Sequence, residues 1–119
     1  MGDDSLLHSF VWEWMLYLEE RGHYVHPPGP ARTFLRSRNG AGKSYLWVLL
    51  CARGPDRRLT AAERKHMQEH ILDSETEGEE AYLVVRFELP AAKVLIIPLA
   101  KALEEKRLVS DKGGIPWEQ

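Results

Sequence analysis

Apolar residues recur along the chain first at helical and then at strand spacing. Leu7, Phe10, Val11, Trp14 and Leu18 repeat every three or four positions, which predicts a helix from Asp4 or Ser5, either of which can cap it, to about Arg21. Gly22 ends it, Tyr24-Val25 can begin a short strand, and Pro27-Pro28-Gly29-Pro30 imposes an irregular loop. Arg32–Ser37 and Lys43–Arg53 read as two strands joined at Asn39-Gly40, a hairpin signal. The second strand, KSYLWVLLCAR, is almost continuously apolar, as a central strand covered on both faces must be.

Beyond a Gly54-Pro55-Asp56 turn, Thr60-Ala61-Ala62-Glu63 forms a capping box that opens a helix to about Leu72. Asp73–Glu80 reads as an acidic loop and AYLVVRFEL as a strand. Pro90-Ala91-Ala92 then turns the chain into KVLIIP, and Pro98 starts a short helix through Lys106. Leu108-Val109 is a candidate last strand ahead of the tail SDKGGIPWEQ. The order α-β-β-β-α-β-β-α predicts an α/β fold, a sheet of mixed strand direction with helices packed on it.

The 119 residues fit one domain, spanning 1–119, long enough to form a core without disulfide or metal. The longest apolar run, Tyr45–Ala52, is too short to span a bilayer, and Asp3 and Asp4 are the wrong charge for a secretory signal. The expected location is the cytoplasm, with Cys51 a reduced core thiol and no membrane partner.

A formal net charge of −2 hides an uneven distribution. Met1–Glu20 carries five acidic residues and no Lys or Arg, and Glu69–Glu88 carries seven against Arg86. Between them lie Arg32, Arg36, Arg38, Lys43, Arg53, Arg57 and Arg58 with Asp56 alone, a hairpin of about +6. Such a block suits phosphate contacts on one face, so the small net charge does not exclude nucleic acid; a solvated hairpin is the alternative.

Three strings imitate catalytic motifs. NGAGKS, Asn39–Ser44, resembles a phosphate loop, but Ser37 stands where GxxxxGK[ST] needs Gly, and a strand rather than a helix follows. It reads as a hairpin turn, with no nucleotide expected. His66 and His70 with Glu69 match HxxEH, yet a solvated helix face accounts for them. Pro55-Asp56 with Glu63 and Lys65 spells PD…ExK, but the pair falls on a helix, where positions i and i+2 diverge by about 200°.

In another register the whole chain resembles the PD-(D/E)xK superfamily, specifically small Holliday-junction resolvases and their phage relatives. The phrases that carry this are LEERGHYVHPPGPA, YLWVLLCARG, RRLTAAERKHMQEHI, AYLVVRFELPAAKVLIIPLAKAL and SDKGGIPW. The resemblance implies a restriction-endonuclease-like mixed β-sheet core (αβββαβ) flanked by helices, DNA as partner, and a homodimer in which KVLIIP and Trp117 are candidate contacts. It also places the catalytic Glu and Lys on Leu49 and Cys51, and the metal-binding Asp near Leu35 or Arg36. Without those groups no catalytic or metal-ligating residue is assigned and no cofactor is expected. Magnesium enters only if an active site has migrated, with Glu13, Glu63 and Lys65 as substitutes. The expectation is a nuclease fold that has lost catalysis and binds DNA or serves in assembly. An active junction endonuclease with displaced ligands and a protein-interaction module are the alternatives.

Overall fold

The longest apolar strand of the sequence becomes the middle of the sheet. In the computed structural model, which describes residues 2–26, 34–52, 59–87, 93–104 and 115–116, the elements are α1 (Gly2–Glu20), β1 (Tyr24–Val25), β2 (Phe34–Arg38), β3 (Ser44–Ala52), α2 (Ala61–Glu77), β4 (Glu80–Phe87), β5 (Lys93–Pro98), α3 (Leu99–Glu104) and β6 (Ile115–Pro116). The strands form one mixed sheet in the order β1-β2-β3-β4-β5-β6. β3 and β4 run parallel, from Tyr45 against Glu80 to Ala52 against Phe87, and every other neighbour is antiparallel. A parallel pair cannot be closed by a hairpin, so α2 lies in the crossover between them.

Alternation along β3 sends its side chains into two cores. Tyr45, Trp47, Leu49 and Cys51 pack beneath α1 with Phe10, Val11, Trp14 and Leu18. Leu46, Val48 and Ala52 pack on the other face with Met67 of α2, Leu83 and Val85 of β4, and Leu99 and Ala102 of α3. The α1 residues buried here are those whose spacing marked the helix. Arg64 of α2 donates to the Leu103 carbonyl and ties α2 to α3.

Both long helices stop at a left-handed glycine. His23 N–H donates to Leu18 O and Gly22 N–H to Glu19 O, and the same pair of bonds runs from Glu79 and Gly78 to Ser74 and Glu75. This corrects the acidic loop expected over Asp73–Glu80. α2 runs on through Glu77, and it is Gly78, at φ 70°, that ends it rather than the charge of the preceding residues. α1 likewise begins earlier than expected, so Asp4 and Ser5 are helical rather than caps, whereas Thr60 and Glu63 form the capping box as read.

Two further corrections concern turns and ends. The hairpin between β2 and β3 is not a two-residue Asn39-Gly40 turn. Gly42 takes the positive φ of 86° and donates to Asn39 O, while Asn39 Oδ1 accepts from the amides of Ala41 and Lys43. Ile115–Pro116 of the tail pairs with Leu95 and Ile96, so a last strand comes from the tail. Leu108 and Val109 lie outside the described residues.

Leu83 is 0% exposed at the centre of β4. Leu83→Ala is expected to lower the free energy of unfolding by about 2–5 kcal/mol, read as a shift of the urea midpoint.

Candidate nucleic-acid interface

The expected catalytic positions sit at the heart of the α1-side core. Leu49, 2% exposed, lies in register with Val84 under α1. Leu35 is buried on that same side, whereas its neighbour Arg36 projects from the opposite face of β2. Cys51, half-buried, is in register with Arg86 of β4, whose Nη1 donates to Glu13 Oε2 at 2.8 Å. Glu13, one of the substitutes named for a migrated site, is therefore committed to a cation. Glu63 is spent on the capping box, and Lys65 is exposed on α2. Among the described residues no three His, Cys, Asp or Glu side chains converge in a metal-binding arrangement.

Of the seven basic residues, Arg36, Arg38 and Lys43 are described; Arg32, Arg53, Arg57 and Arg58 lie outside the described residues. The structure places the three at the turn end of the β2–β3 hairpin.

Carboxylates engage two of the three. Arg36 Nε donates to both oxygens of Glu79 at 3.2 and 3.0 Å, and its Nη2 reaches Asp73 Oδ2 at 3.0 Å. Burial opposes the charge on Arg36, but the hydrogen bonds to Asp73 and Glu79 outweigh it and hold its pKa above the ordinary value. These bonds tie β2 to the end of α2, where the two carboxylates would otherwise face the negative end of the helix. Lys43 Nζ lies 3.0 Å from Glu80 Oε1, and that contact raises its pKa. Arg38 is exposed and, among the described residues, has no ion-pair partner.

These residues border a groove of about 390 Å³ between the β1–β2 edge and the end of α2, lined by His26, Arg36, Arg38, Asp73, Glu77 and Glu79. Sequence reading missed His26 and the three acidic residues. Arg36 and Arg38 signalled a shared face by their i, i+2 spacing on a strand, but the run Asp73–Glu79 was taken for a loop and so was not brought to them.

Below the sheet, Ser37 is buried where Trp47 Nε1 donates to its Oγ at 2.9 Å and His23 Nδ1 lies 3.0 Å away. His70 stacks at a tilt on Phe34, with ring centroids 4.7 Å apart, and His66 is exposed beside Glu69, so HxxEH here is a helix face. NGAGKS is the hairpin turn, entered and left by strands.

No family model and no curated protein sequence matches the chain. Among solved structures it is similar to Hjc, a Holliday junction resolvase from the archaeal hyperthermophile Archaeoglobus fulgidus. The match has a TM-score of 0.60 and 16% identity over 93% of this chain and 88% of that one. The chain therefore shares the fold of that structure, a mixed β-sheet flanked by helices, as the resemblance implied. No helix among the described residues is long and apolar enough to cross a membrane.

Burial holds the pKa of His23 below the ordinary 6.5, and burial followed by the nearby Arg36 cation does the same for His70. Below pH 6.5 the unfolded chain then binds protons that the folded chain refuses, so stability falls with pH until the folded pKa values are passed. Urea midpoints are expected to drop between pH 8 and the acidic side of that value, and to drop less in His23→Gln.

Proposed function

We propose that this protein is a nuclease-fold domain that has lost catalysis and binds DNA through the β2–β3 hairpin. The reading rests above all on Leu49. PD-(D/E)xK chemistry needs a carboxylate at that position to hold magnesium and a cation two residues on to steady the phosphate. Here an apolar side chain closes the position against α1, Cys51 follows it, and Glu13 is paired with Arg86. An ionised carboxylate at position 49 would lose its hydration to that core, at a cost of several kcal/mol.

The polar surface favours binding through a narrower set of residues than the sequence suggested. Arg38, exposed and without an ion-pair partner among the described residues, is open to contact with DNA, and Arg32, Arg53, Arg57 and Arg58 are further candidates. Arg36 and Lys43 serve first as internal ion pairs. That the structurally similar Hjc is a Holliday junction resolvase makes branched DNA the first substrate to try.

Fluorescence anisotropy of labelled four-way junction and linear duplex, across a salt series, tests the reading. Binding should weaken as salt rises, Arg38→Glu should lower affinity, and the junction should stay uncut in magnesium or manganese. No binding at low salt would end the DNA reading. Cleavage abolished by Glu13→Ala would replace it with an active enzyme whose ligands have moved.

A homodimer belongs to the same proposal. The KVLIIP edge is paired with β6 at Leu95 and Ile96, and Trp117 lies outside the described residues. The contact is better assigned to α1, where Trp12, 43% exposed, and Leu16 stand one turn apart on the outer surface. Sedimentation equilibrium should give a two-chain mass that Trp12→Glu converts to one.

A further inference from the structure

The groove at the β1–β2 edge is unsuited to a phosphate. Its two guanidiniums face three carboxylates, and Arg36 is consumed by Asp73 and Glu79. Beside the ring of His26 and the hydroxyl of Ser44, what remains is one guanidinium and one carboxylate, Arg38 from β2 and Glu77 from the last turn of α2. Neither has an ion-pair or side-chain hydrogen-bond partner among the described residues. Strand register adds an aromatic ring beside the groove, next to two of its lining residues, Arg38 and His26. Tyr24 is the direct cross-strand neighbour of Arg38, so the two share a face of the sheet. Tyr24 is 67% exposed and stands edge-on to His26, with ring centroids 5.3 Å apart.

A ligand that satisfies all three must be planar and near neutral overall, with an acceptor edge for Arg38, a donor edge for Glu77 and a face for Tyr24. Among nucleobases, guanine carries this combination. Its O6 and N7 accept from a guanidinium, and its N1–H and N2 amino group form a donor pair for a carboxylate. Adenine lacks the paired donors and cytosine the O6/N7 edge. A duplex hides the N1/N2 edge in pairing, so the base must be unpaired, where an aromatic ring adds stacking. The groove volume lies in the range of small-ligand pockets, about 300–1,000 Å³.

We propose that this groove captures an unpaired guanine of the bound nucleic acid, with Arg38 on O6/N7, Glu77 on N1/N2 and Tyr24, from the groove's rim, against the ring. The inference rests on the DNA-binding reading above and adds a base-specific contact to it. It requires single-stranded character at the contacted base, as at the open centre or end of a branched structure.

Anisotropy with single-stranded thymidine oligonucleotides carrying one central guanine, adenine, inosine or 7-deazaguanine tests it. Guanine should bind about tenfold tighter than adenine. Inosine, lacking the N2 amino group, and 7-deazaguanine, lacking N7, should each lose part of that preference. Glu77→Gln should erase the difference between guanine and inosine, Arg38→Gln that between guanine and 7-deazaguanine, and Tyr24→Ala should weaken the guanine strand more than the unsubstituted one. All three side chains are exposed, so circular dichroism should show unchanged folds. Equal affinity for every strand, or a guanine preference that survives Glu77→Gln and Arg38→Gln, would overturn this inference and leave DNA binding standing. No binding of any strand or of duplex and junction at low salt would remove both.

Discussion

The parallel pairing of β3 with β4 is the constraint from which the rest of the architecture follows. Eight consecutive residue pairs join the two strands, and a parallel pair is stable only when both faces are covered and a crossover returns the chain. That places α2 and α3 on one face and α1 on the other. The residues of β3 are sorted accordingly, with Trp47, Leu49 and Cys51 to α1 and Leu46, Val48 and Ala52 to α2 and α3. Because the ladder lies between two apolar layers, a polar group in its middle must be matched by other polar groups. Ser37, on the neighbouring strand β2, shows how this is done, held by Trp47 and His23. At Leu49 no such arrangement is needed, and the residue contributes to packing instead.

Much of this was legible in the sequence because the determining interactions are local or periodic. The spacing of Phe10, Trp14 and Leu18 marked the buried face of α1, and Thr60 with Glu63 marked the start of α2. The unbroken run from Tyr45 to Ala52 marked a strand covered twice. What escaped depended on pairing between distant segments. The carboxylates Asp73 and Glu79 are stabilised at the end of α2 by Arg36, far away along the chain, so a local reading saw only an acidic stretch that composition assigns to a loop. Gly78 was the signal that would have corrected it. The strand in the tail was likewise set by the open edge of β5 rather than by Ile115 and Pro116 themselves.

The same long-range pairing reshapes the functional picture. Seven basic residues in one stretch looked like a single phosphate-binding surface. The structure gathers Arg36, Arg38 and Lys43 at the turn end of the hairpin and commits Arg36 and Lys43 to carboxylates. Among the described residues, what this leaves at the sheet edge is a guanidinium, Arg38, and a carboxylate, Glu77, without ion-pair partners, beside the exposed rings of Tyr24 and His26. The fold is shared with Hjc, and Leu49, where the resemblance expects a catalytic carboxylate, is buried in the core.

The claim that this core has replaced the metal site is tested most directly by calorimetric titration of the protein with manganese. Replacement predicts no saturable heat beyond that of weak surface carboxylates, with identical traces for the protein and for Glu13→Ala. Stoichiometric binding that disappears in Glu13→Ala would contradict it, because that result would require α1 and the sheet to hold a metal where the structure packs Leu49.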